Sequence, residues 1–234
     1  MTRPIKNLVA ACIVLGLTST TAFADTIAQW TFETSLPATA GPFSPEVGSG
    51  SASGFHAGAA TYSNPVGNGS SHSFSANTWA VNDYWQFQVN TTGFNNVALA
   101  WDQTSSNTGP RDFQLQYSTN GTTFTNFGAA YMVLANAAPN PVWNATTGSA
   151  LYNFSFDLSS ISALNNLATA YFRLLDTSTV SANGGAVAAA GSDRVDNFIV
   201  TAAPVSAVPL PAAAWLFGSG ILALGGMIRR RRTA

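Results

Sequence analysis

The sequence has little sulfur chemistry and few metal-binding side chains. Its only cysteine is Cys12, and the stretch from residue 25 to residue 207 contains none. That stretch therefore forms no disulfide, offers no thiolate nucleophile and holds no zinc through cysteine. Its two histidines, His56 and His72, do not make a zinc site without a third ligand. We expect both to be solvated or hydrogen-bonded loop residues.

Positive charge is equally scarce in residues 25–207. This stretch has no lysine and three arginines, yet it holds all ten acidic residues of the chain, so its formal net charge is −7. A negative surface without a basic patch excludes nucleic acid as a partner. The three arginines are Arg111, Arg173 and Arg194.

Recognisable catalytic motifs are also missing. The chain has no Gly-x-Ser-x-Gly elbow, no phosphate-binding loop and no dinucleotide fingerprint. We therefore expect no catalytic residues and a non-enzymatic protein. A glycosidase would need two carboxylates at a defined separation. Several acidic residues could supply them and the sequence selects no pair: Glu33, Glu46, Asp83, Asp102 and Asp157.

The C-terminal residues carry three features in a fixed order. Val208-Pro209-Leu210-Pro211 precedes an apolar run from Ala212 to Ile228, and the cluster Arg229, Arg230, Arg231 and Arg232 follows it. A helix over the 17 residues of the run is just long enough to cross a bilayer core of about 30 Å. The arginines predict that the end of the chain stays in the cytoplasm.

This order of features resembles the PEP-CTERM sorting tail of Gram-negative bacteria, with Leu210 where the family name implies glutamate. The resemblance implies processing by an exosortase near Val208–Pro211 and an association with exopolysaccharide or biofilm matrix. The alternative is a plain tail anchor that is not processed.

The N-terminal residues predict a secretory signal peptide over residues 1–24. Arg3 and Lys6 precede an apolar segment from Leu8 to Leu17, and Ala22-Phe23-Ala24 supplies an Ala-x-Ala cleavage site. The expected partners are then the secretion translocon, signal peptidase and exosortase. We expect export through the inner membrane, transient anchoring by the C-terminal helix, and a final place at the cell surface or in the extracellular matrix. An uncleaved N-terminal anchor is the alternative.

The sequence pattern of the residues between these ends predicts β-strands. Apolar and aromatic residues alternate with polar ones in several short segments, which is typical of half-buried strands. We predict an all-β, antiparallel two-sheet sandwich over residues 25–201, with a jelly roll as first choice. The clearest alternating segments are Tyr84–Val89, Val97–Trp101, Phe113–Tyr117, Phe154–Phe156, Phe172–Leu174 and Phe198–Val200.

Three local predictions accompany this fold. Asn120-Gly121 predicts a hairpin with a type I′ turn between segments 113–118 and 122–127. Residues 159–167 form the one plausible helix, and residues 202–207 should be an extended linker.

The last strand carries the candidate metal ligands Asp193, Asp196 and Asn197. If that strand is unbroken, Asp196 shares a face with Phe198 and Val200, and a carboxylate there needs a partner. The Asp-Asn pair resembles secreted carbohydrate-binding jelly rolls and lamin-G-like sandwiches, in some of which such an aspartate binds structural calcium. Oxygen ligands suit calcium. The alternative is that Asp196 or Asn197 ties down a neighbouring loop through hydrogen bonds.

A second polar cluster offers a candidate ligand loop formed by Asp102, Arg111 and Asp112, with Ser105–Pro110 between two predicted strands. The alternative is an ordered loop pinned by an Arg–Asp bond. Trp79 and Trp143 could stack on sugars if exposed, but we expect core packing.

The function predicted from these features is that of an exported, exosortase-sorted surface or matrix protein, a non-catalytic structural or adhesive β-sandwich associated with exopolysaccharide. The alternative is a secreted glycan-active enzyme or a calcium-dependent carbohydrate-binding module.

Overall fold

The computed structural model describes residues 24–205, which form two antiparallel β-sheets. This confirms the prediction of an all-β two-sheet fold. The strands are β1 (Asp25–Trp30), β2 (Val47–Gly48), β3 (Gly50–Phe55), β4 (Tyr62–Ser63), β5 (Phe74–Asn77), β6 (Tyr84–Val89), β7 (Phe94–Ser105), β8 (Asp112–Ser118), β9 (Thr125–Asn126), β10 (Tyr131–Met132), β11 (Asn153–Asp157), β12 (Ala170–Asp176) and β13 (Ser192–Pro204). Two short 3₁₀ helices, Ala150–Tyr152 and Ser162–Leu164, complete the elements.

The chain passes from one sheet to the other between most of its longer strands. The first sheet, called sheet A, has the order β11-β7-β13-β1-β2, with β5 beside β13 and β4 beside β5. The second, called sheet B, has the order β10-β8-β12-β6-β3, with β9 beside β8. The middle strands β6 and β12 of sheet B are thus hydrogen-bonded on both edges, which fixes the positions of their outward side chains.

Alternating side chains build the core between the sheets. In β6, Trp85, Phe87 and Val89 are buried while the residues between them are partly exposed, as the sequence predicted. Phe87 of sheet B stacks on Phe198 of sheet A with ring centroids 3.5 Å apart. Each large apolar side chain buried in this way contributes about 1.5–3 kcal/mol.

A β-bulge in β13 changes the prediction for Asp196. Asn197 has a φ of 49°, and the pairing of β13 with β7 shifts register between Asp196 and Ile199. The bulge adds one residue, so Val195 and Phe198 both face the core. Asp196 consequently lies on the outer side of sheet A. The expectation that it shares a face with Phe198 and Val200 was wrong, because the strand is not regular there.

Other local predictions also need correction. The hairpin joins β8 to β9, but its first pair is Tyr117 with Thr125, so the loop is much longer than two residues. A type I′ turn needs positive φ at both central residues, and Gly121 has it whereas Asn120 does not. The predicted helix over 159–167 is reduced to the 3₁₀ turn Ser162–Leu164.

The predicted linker is shorter than expected, because β13 continues to Pro204 and pairs there with Phe94. Within residues 24–205 no helix is long and apolar enough to cross a membrane. The signal peptide up to residue 23, the sorting motif Val208–Pro211, the apolar run 212–228 and Arg229–Arg232 lie outside the described residues.

Candidate ligand-binding face

The outer side of sheet B carries aromatic, amide and hydroxyl side chains, all partly or largely exposed except Gln114 and Ser118, which are buried. They point outward because they alternate with core residues along four neighbouring strands. We call this surface the amide–aromatic face. Its members are Ser51, Ser53 and Phe55 of β3, Tyr84, Gln86 and Gln88 of β6, Tyr171, Arg173 and Leu175 of β12, and Gln114, Gln116 and Ser118 of β8.

Strand register aligns a polar row across the middle of this face. Arg173 lies opposite Gln86 on one side and opposite Gln116 on the other. The Arg173 Nε donates to Gln86 Oε1 at 2.8 Å, and the Gln116 Nε2 donates to Asn126 Oδ1 at 2.8 Å. The row therefore holds its planar groups in a fixed orientation, with further polar atoms free for a ligand.

Aromatic rings border the polar row on one side. Phe55 and Tyr84 are directly opposite in register and stack with centroids 4.9 Å apart and an interplanar angle of 13°. Phe55 keeps 47% of its surface exposed. A large ring this exposed gains little from folding alone, so its apolar surface is available to a partner.

Arg173 is held between two rings. Its guanidinium carbon lies 3.8 Å from the centroid of Tyr84 and 3.5 Å from that of Phe124, which reaches over from the loop between β8 and β9. Cation–π contacts of this kind contribute about 0.5–2 kcal/mol and fix the plane of the guanidinium. Partial burial lowers the pKa of Arg173 from its usual value, but a guanidinium stays charged at any physiological pH.

The other border of the face contains Tyr171 and a shallow cleft. A cleft of about 240 Å³ opens at the end of the face next to Gln88, between β3 and the start of β12. Gly50 lines it, with a backbone so close to Gln88 that a Cβ at position 50 would meet the Gln88 carbonyl oxygen. The face thus has an aromatic end, a polar centre and a recessed end.

Acidic groups are nearly absent from the amide–aromatic face. Among the described residues, the carboxylate in phase with it is Asp112 at the first position of β8. Asp112 accepts two hydrogen bonds of 2.9 Å from Arg111, from Nε and from Nη2. These bonds lower the pKa of Asp112 below its usual value. The opposite charges of Arg111 and Asp112 therefore neutralise each other.

The predicted ligand loop of Asp102, Arg111 and Asp112 is not one site. Asp102 lies in β7 of sheet A, whereas Asp112 lies in β8 of sheet B. The loop between these strands crosses from one sheet to the other, so it separates the residues instead of collecting them. The alternative of an internal Arg–Asp bond describes Arg111 and Asp112.

The three predicted metal ligands, Asp193, Asp196 and Asn197, do not lie together either, because their side chains lie on opposite sides of sheet A. Asp193 faces the core and is fully buried. Its Oδ1 accepts hydrogen bonds from Trp85 Nε1 at 2.6 Å and Gln103 Nε2 at 3.1 Å, and its Oδ2 accepts one from Ser105 Oγ at 3.0 Å. Burial raises the pKa of Asp193 to about 8 despite these bonds. Because Trp85 belongs to sheet B, this carboxyl group joins the two sheets.

Asp196 and Asn197 lie on the opposite side of sheet A from the Asp193 side chain. The Asp196 Oδ2 accepts hydrogen bonds from the Asn68 amide at 2.9 Å and from Ser70 Oγ at 2.6 Å. Asn197 Nδ2 donates to Asp102 Oδ2 at 2.9 Å and to Asp196 Oδ2 at 3.2 Å. Asp196 therefore ties the loop around residues 67–73 onto sheet A, as the loop alternative predicted.

This arrangement fits calcium poorly. Donor groups already occupy the oxygens of Asp196 that a cation would use, and burial beside Asp102 raises its pKa to about 6. Within residues 24–205 no three His, Cys, Asp or Glu side chains are grouped so that they could hold a metal ion. Calcium binding stays a prediction of the sequence.

The amide–aromatic face was not predicted from the sequence. Trp79 and Trp143, the tryptophans that could have stacked on sugars if exposed, are both buried, with 6% and 4% of their surface exposed. The missed signal was the polar phase of the same alternating strands. In Tyr84-Trp85-Gln86-Phe87-Gln88-Val89 the residues between the core positions are glutamines and a tyrosine, with no charge.

No protein-family model matches the sequence, and no curated protein matches it either. Among solved structures, the chain is similar to the K2 cleaved adhesin domain of Lys-gingipain, at 13% identity and a TM-score of 0.42, over 78% of this chain and 99% of that one. It is also similar to an endo-1,4-β-D-xylanase 10B of Clostridium thermocellum, whose CBM22-1 and GH10 modules were complexed with xylohexaose. That match has 11% identity and a TM-score of 0.44, and covers 80% of this chain and 30% of the xylanase.

A third similar structure is TmCBM61 in complex with β-1,4-galactotriose, at 12% identity and a TM-score of 0.34, over 73% of this chain and 92% of that one. All three TM-scores are below 0.5. These likenesses therefore define no activity for this chain.

Proposed function

We propose that this protein is an exported, non-catalytic β-sandwich that binds polysaccharide through the amide–aromatic face. The observation that carries the proposal is the row of Gln86, Arg173 and Gln116 beside the exposed stack of Phe55 and Tyr84. The exposed ring of Phe55 gives an apolar surface on which the C–H face of a sugar ring can pack. Amide and guanidinium groups supply the donors and acceptors that sugar hydroxyls require.

The polar side chains of this face are ordered before any ligand arrives. Hydrogen bonds hold Gln86 and Gln116, and two rings hold Arg173. Prior ordering reduces the entropy lost on binding. The open shape of a sheet surface suits an extended polymer better than a small molecule, which would need a deeper cavity.

The same geometry favours binding over hydrolysis. A glycosidase needs two carboxyl groups on either side of the bond to be cleaved. Of the acidic residues named as candidates, Asp83 and Asp102 are buried, and Glu46 and Asp157 accept backbone hydrogen bonds from Thr31 and Ser159. None of the candidates lies on the amide–aromatic face.

Export and sorting complete the proposal and rest on the sequence. The signal peptide over residues 1–24 and the PEP-CTERM-like tail support export by the translocon, cleavage by signal peptidase and processing by an exosortase. A polysaccharide-binding domain would then act at the cell surface or in the extracellular matrix, with exopolysaccharide as its partner. A mature form that retains Arg229–Arg232 in an exosortase-producing host would contradict processing.

The binding proposal is tested with the purified full-length protein and a panel of soluble polysaccharides, in affinity electrophoresis and titration calorimetry. We expect saturable binding to at least one polymer and about tenfold weaker binding by Phe55→Ala, which removes the exposed ring and leaves Tyr84 against Arg173. Ile199→Ala, on the outer side of sheet A, is the control and should bind like the wild type.

Three results would overturn parts of this proposal. Release of new reducing ends in the same mixtures would establish the alternative of a glycan-active enzyme. Binding that Phe55→Ala leaves unchanged would move the site away from this face. Absence of binding to every polymer would leave a structural role without glycan recognition.

A further inference from the structure

We infer that the polysaccharide recognised by this face carries carboxylate groups, as in uronic acid polymers, and that Arg173 binds them. This inference rests on the proposed function, because it names the chemical class of the ligand for the same face. It is carried by the charge of the face and by the free edge of one guanidinium group.

Arg173 gives this face a charge opposite to that of the rest of the domain. Residues 25–207 have a formal net charge of −7, and Asp112 at the border is neutralised by Arg111. Arg173 is thus the one uncompensated charge among the described side chains of the face. The Gln86 amide that accepts from its Nε is neutral, so the positive charge remains available for an anion.

The guanidinium also keeps its ligand-binding edge open. Within the part of the chain that the structure describes, its Nε has a protein partner and its two terminal nitrogens have none. Neither terminal nitrogen is among the buried polar atoms that lack a partner, so both reach solvent. A guanidinium edge with two parallel N–H groups matches a carboxylate and binds it bidentately.

The two flanking rings make Arg173 a selective group. Tyr84 and Phe124 cover both faces of the guanidinium and leave the edge as its accessible side. They also remove part of its hydration, which strengthens a hydrogen bond to an anion. Lysine at this position would keep the charge but lose both the stacking and the paired donors.

Remaining acidic side chains do not oppose an anionic ligand at this face. Five of them are buried: Asp83, Asp102, Asp176, Asp193 and Asp196. The other four lie in or next to strands β1, β2 and β11 of sheet A: Asp25, Glu33, Glu46 and Asp157. The negative net charge of the domain is therefore concentrated elsewhere, and a polyanion can approach the face that carries Arg173.

The test compares two forms of one polymer with the full-length protein. Polygalacturonate and its highly methyl-esterified form share a backbone and differ in charge. We expect at least tenfold tighter binding of polygalacturonate in calorimetry, and an affinity that falls as salt is added. Arg173→Gln should abolish this preference, and Arg173→Lys should retain only part of it. Arg194→Gln removes the same charge from the outer side of sheet A and should leave the preference intact.

Different results separate the inference from the proposed function. Equal binding of the two polymers, still weakened by Phe55→Ala, would overturn the carboxylate inference and leave glycan binding in place. Equally tight binding of dextran sulfate would show that charge alone, and not a carboxylate, is recognised. No binding to any polymer, charged or neutral, would overturn both statements. Near-ultraviolet circular dichroism of each variant shows whether its fold is intact.

Discussion

The outer sides of the two sheets share a backbone plan and differ in what their polar groups do. On sheet A, Asp102 and Asp196 are buried, and protein donors occupy their oxygens. On sheet B, Tyr84, Gln86 and Arg173 are partly exposed and keep polar atoms free. A loop covers the first surface around Asp196, whereas the segment after β8 covers only one side of the second, where Gln114 and Ser118 are buried.

The difference shows that the candidate site is identified by polar atoms that have no partner within the protein, and not by chemically reactive side chains. Acidic residues on sheet A are the groups that usually suggest metals or catalysis, yet their hydrogen bonds hold a loop. Uncharged side chains on sheet B suggest little in the sequence, yet they form an ordered surface. A polar group that the protein already satisfies contributes stability, and one left unsatisfied at the surface can contribute binding.

The largest expected effect is a dependence of folding stability on pH. Polysaccharide binding at the amide–aromatic face should not depend on pH over the same range. Burial raises the pKa of Asp196 to about 6, of Asp176 to about 7 and of Asp193 to about 8. Unfolding returns these groups to values near 4, so the folded state holds protons that the unfolded state releases. Stability is therefore fully present near pH 4 and is lost as the pH rises to about 8.

We expect the free energy of unfolding to fall by several kcal/mol between pH 5 and pH 8 in urea titrations. Asp176→Asn removes one of the three titrating groups and should lose less stability over the same range. Polysaccharide affinity of the folded protein should stay constant, because the amide–aromatic face has no histidine and its guanidinium stays charged over this range. Stability that increases from pH 5 to pH 8 would contradict the prediction.

An intermediate effect is expected from breaking the loop attachment on sheet A. Asp196→Ala removes the acceptor of the Asn68 amide, the Ser70 hydroxyl and the Asn197 amide. Leaving such buried donors without a partner should lower the free energy of unfolding by about 2–4 kcal/mol in urea. Asp196→Asn keeps one acceptor oxygen and should lose less. Polysaccharide binding should be unaffected, whereas a change below about 0.5 kcal/mol in Asp196→Ala would show that the loop is held by other contacts.

The smallest effect distinguishes two glycines near the open face. Gly121 and Gly128 both have positive φ, 74° and 64°, but a Cβ at Gly121 would lie 2.9 Å from the Tyr171 ring and one at Gly128 would meet nothing within 4 Å. Gly128→Ala should cost about 1 kcal/mol for its backbone alone. Gly121→Ala should cost more in urea unfolding and should also weaken polysaccharide binding, because Tyr171 must move. Equal costs in the two variants would contradict the close contact.

Much of the fold could be predicted from residue patterns. Period-two alternation identified the core positions of β6, β7, β8 and β12, because burial of apolar side chains selects one side of a strand. The bulge at Asn197 could not be predicted in this way. It depends on the pairing of β13 with β7, which no local pattern records.

The candidate site was less accessible to prediction. Asp102, Arg111 and Asp112 are close in sequence, but their connecting loop crosses between sheets, so nearness along the chain did not become nearness in space. Gln86, Arg173 and Gln116 are far apart in sequence and meet through the pairing of β12 with both of its neighbours. A single sequence gives no strand order, so it could not join these residues.

By itself, the sequence determined that residues 25–207 are an acidic, cysteine-free stretch and that their alternating segments must form sheets with an apolar interior. Those properties follow from composition and from the two-residue period of a strand, which act locally. Only the tertiary structure decided which outer side is covered by loops and which remains open. Strand order and register set that outcome, because they bring distant side chains into one row and leave Arg173 with a free edge between two rings.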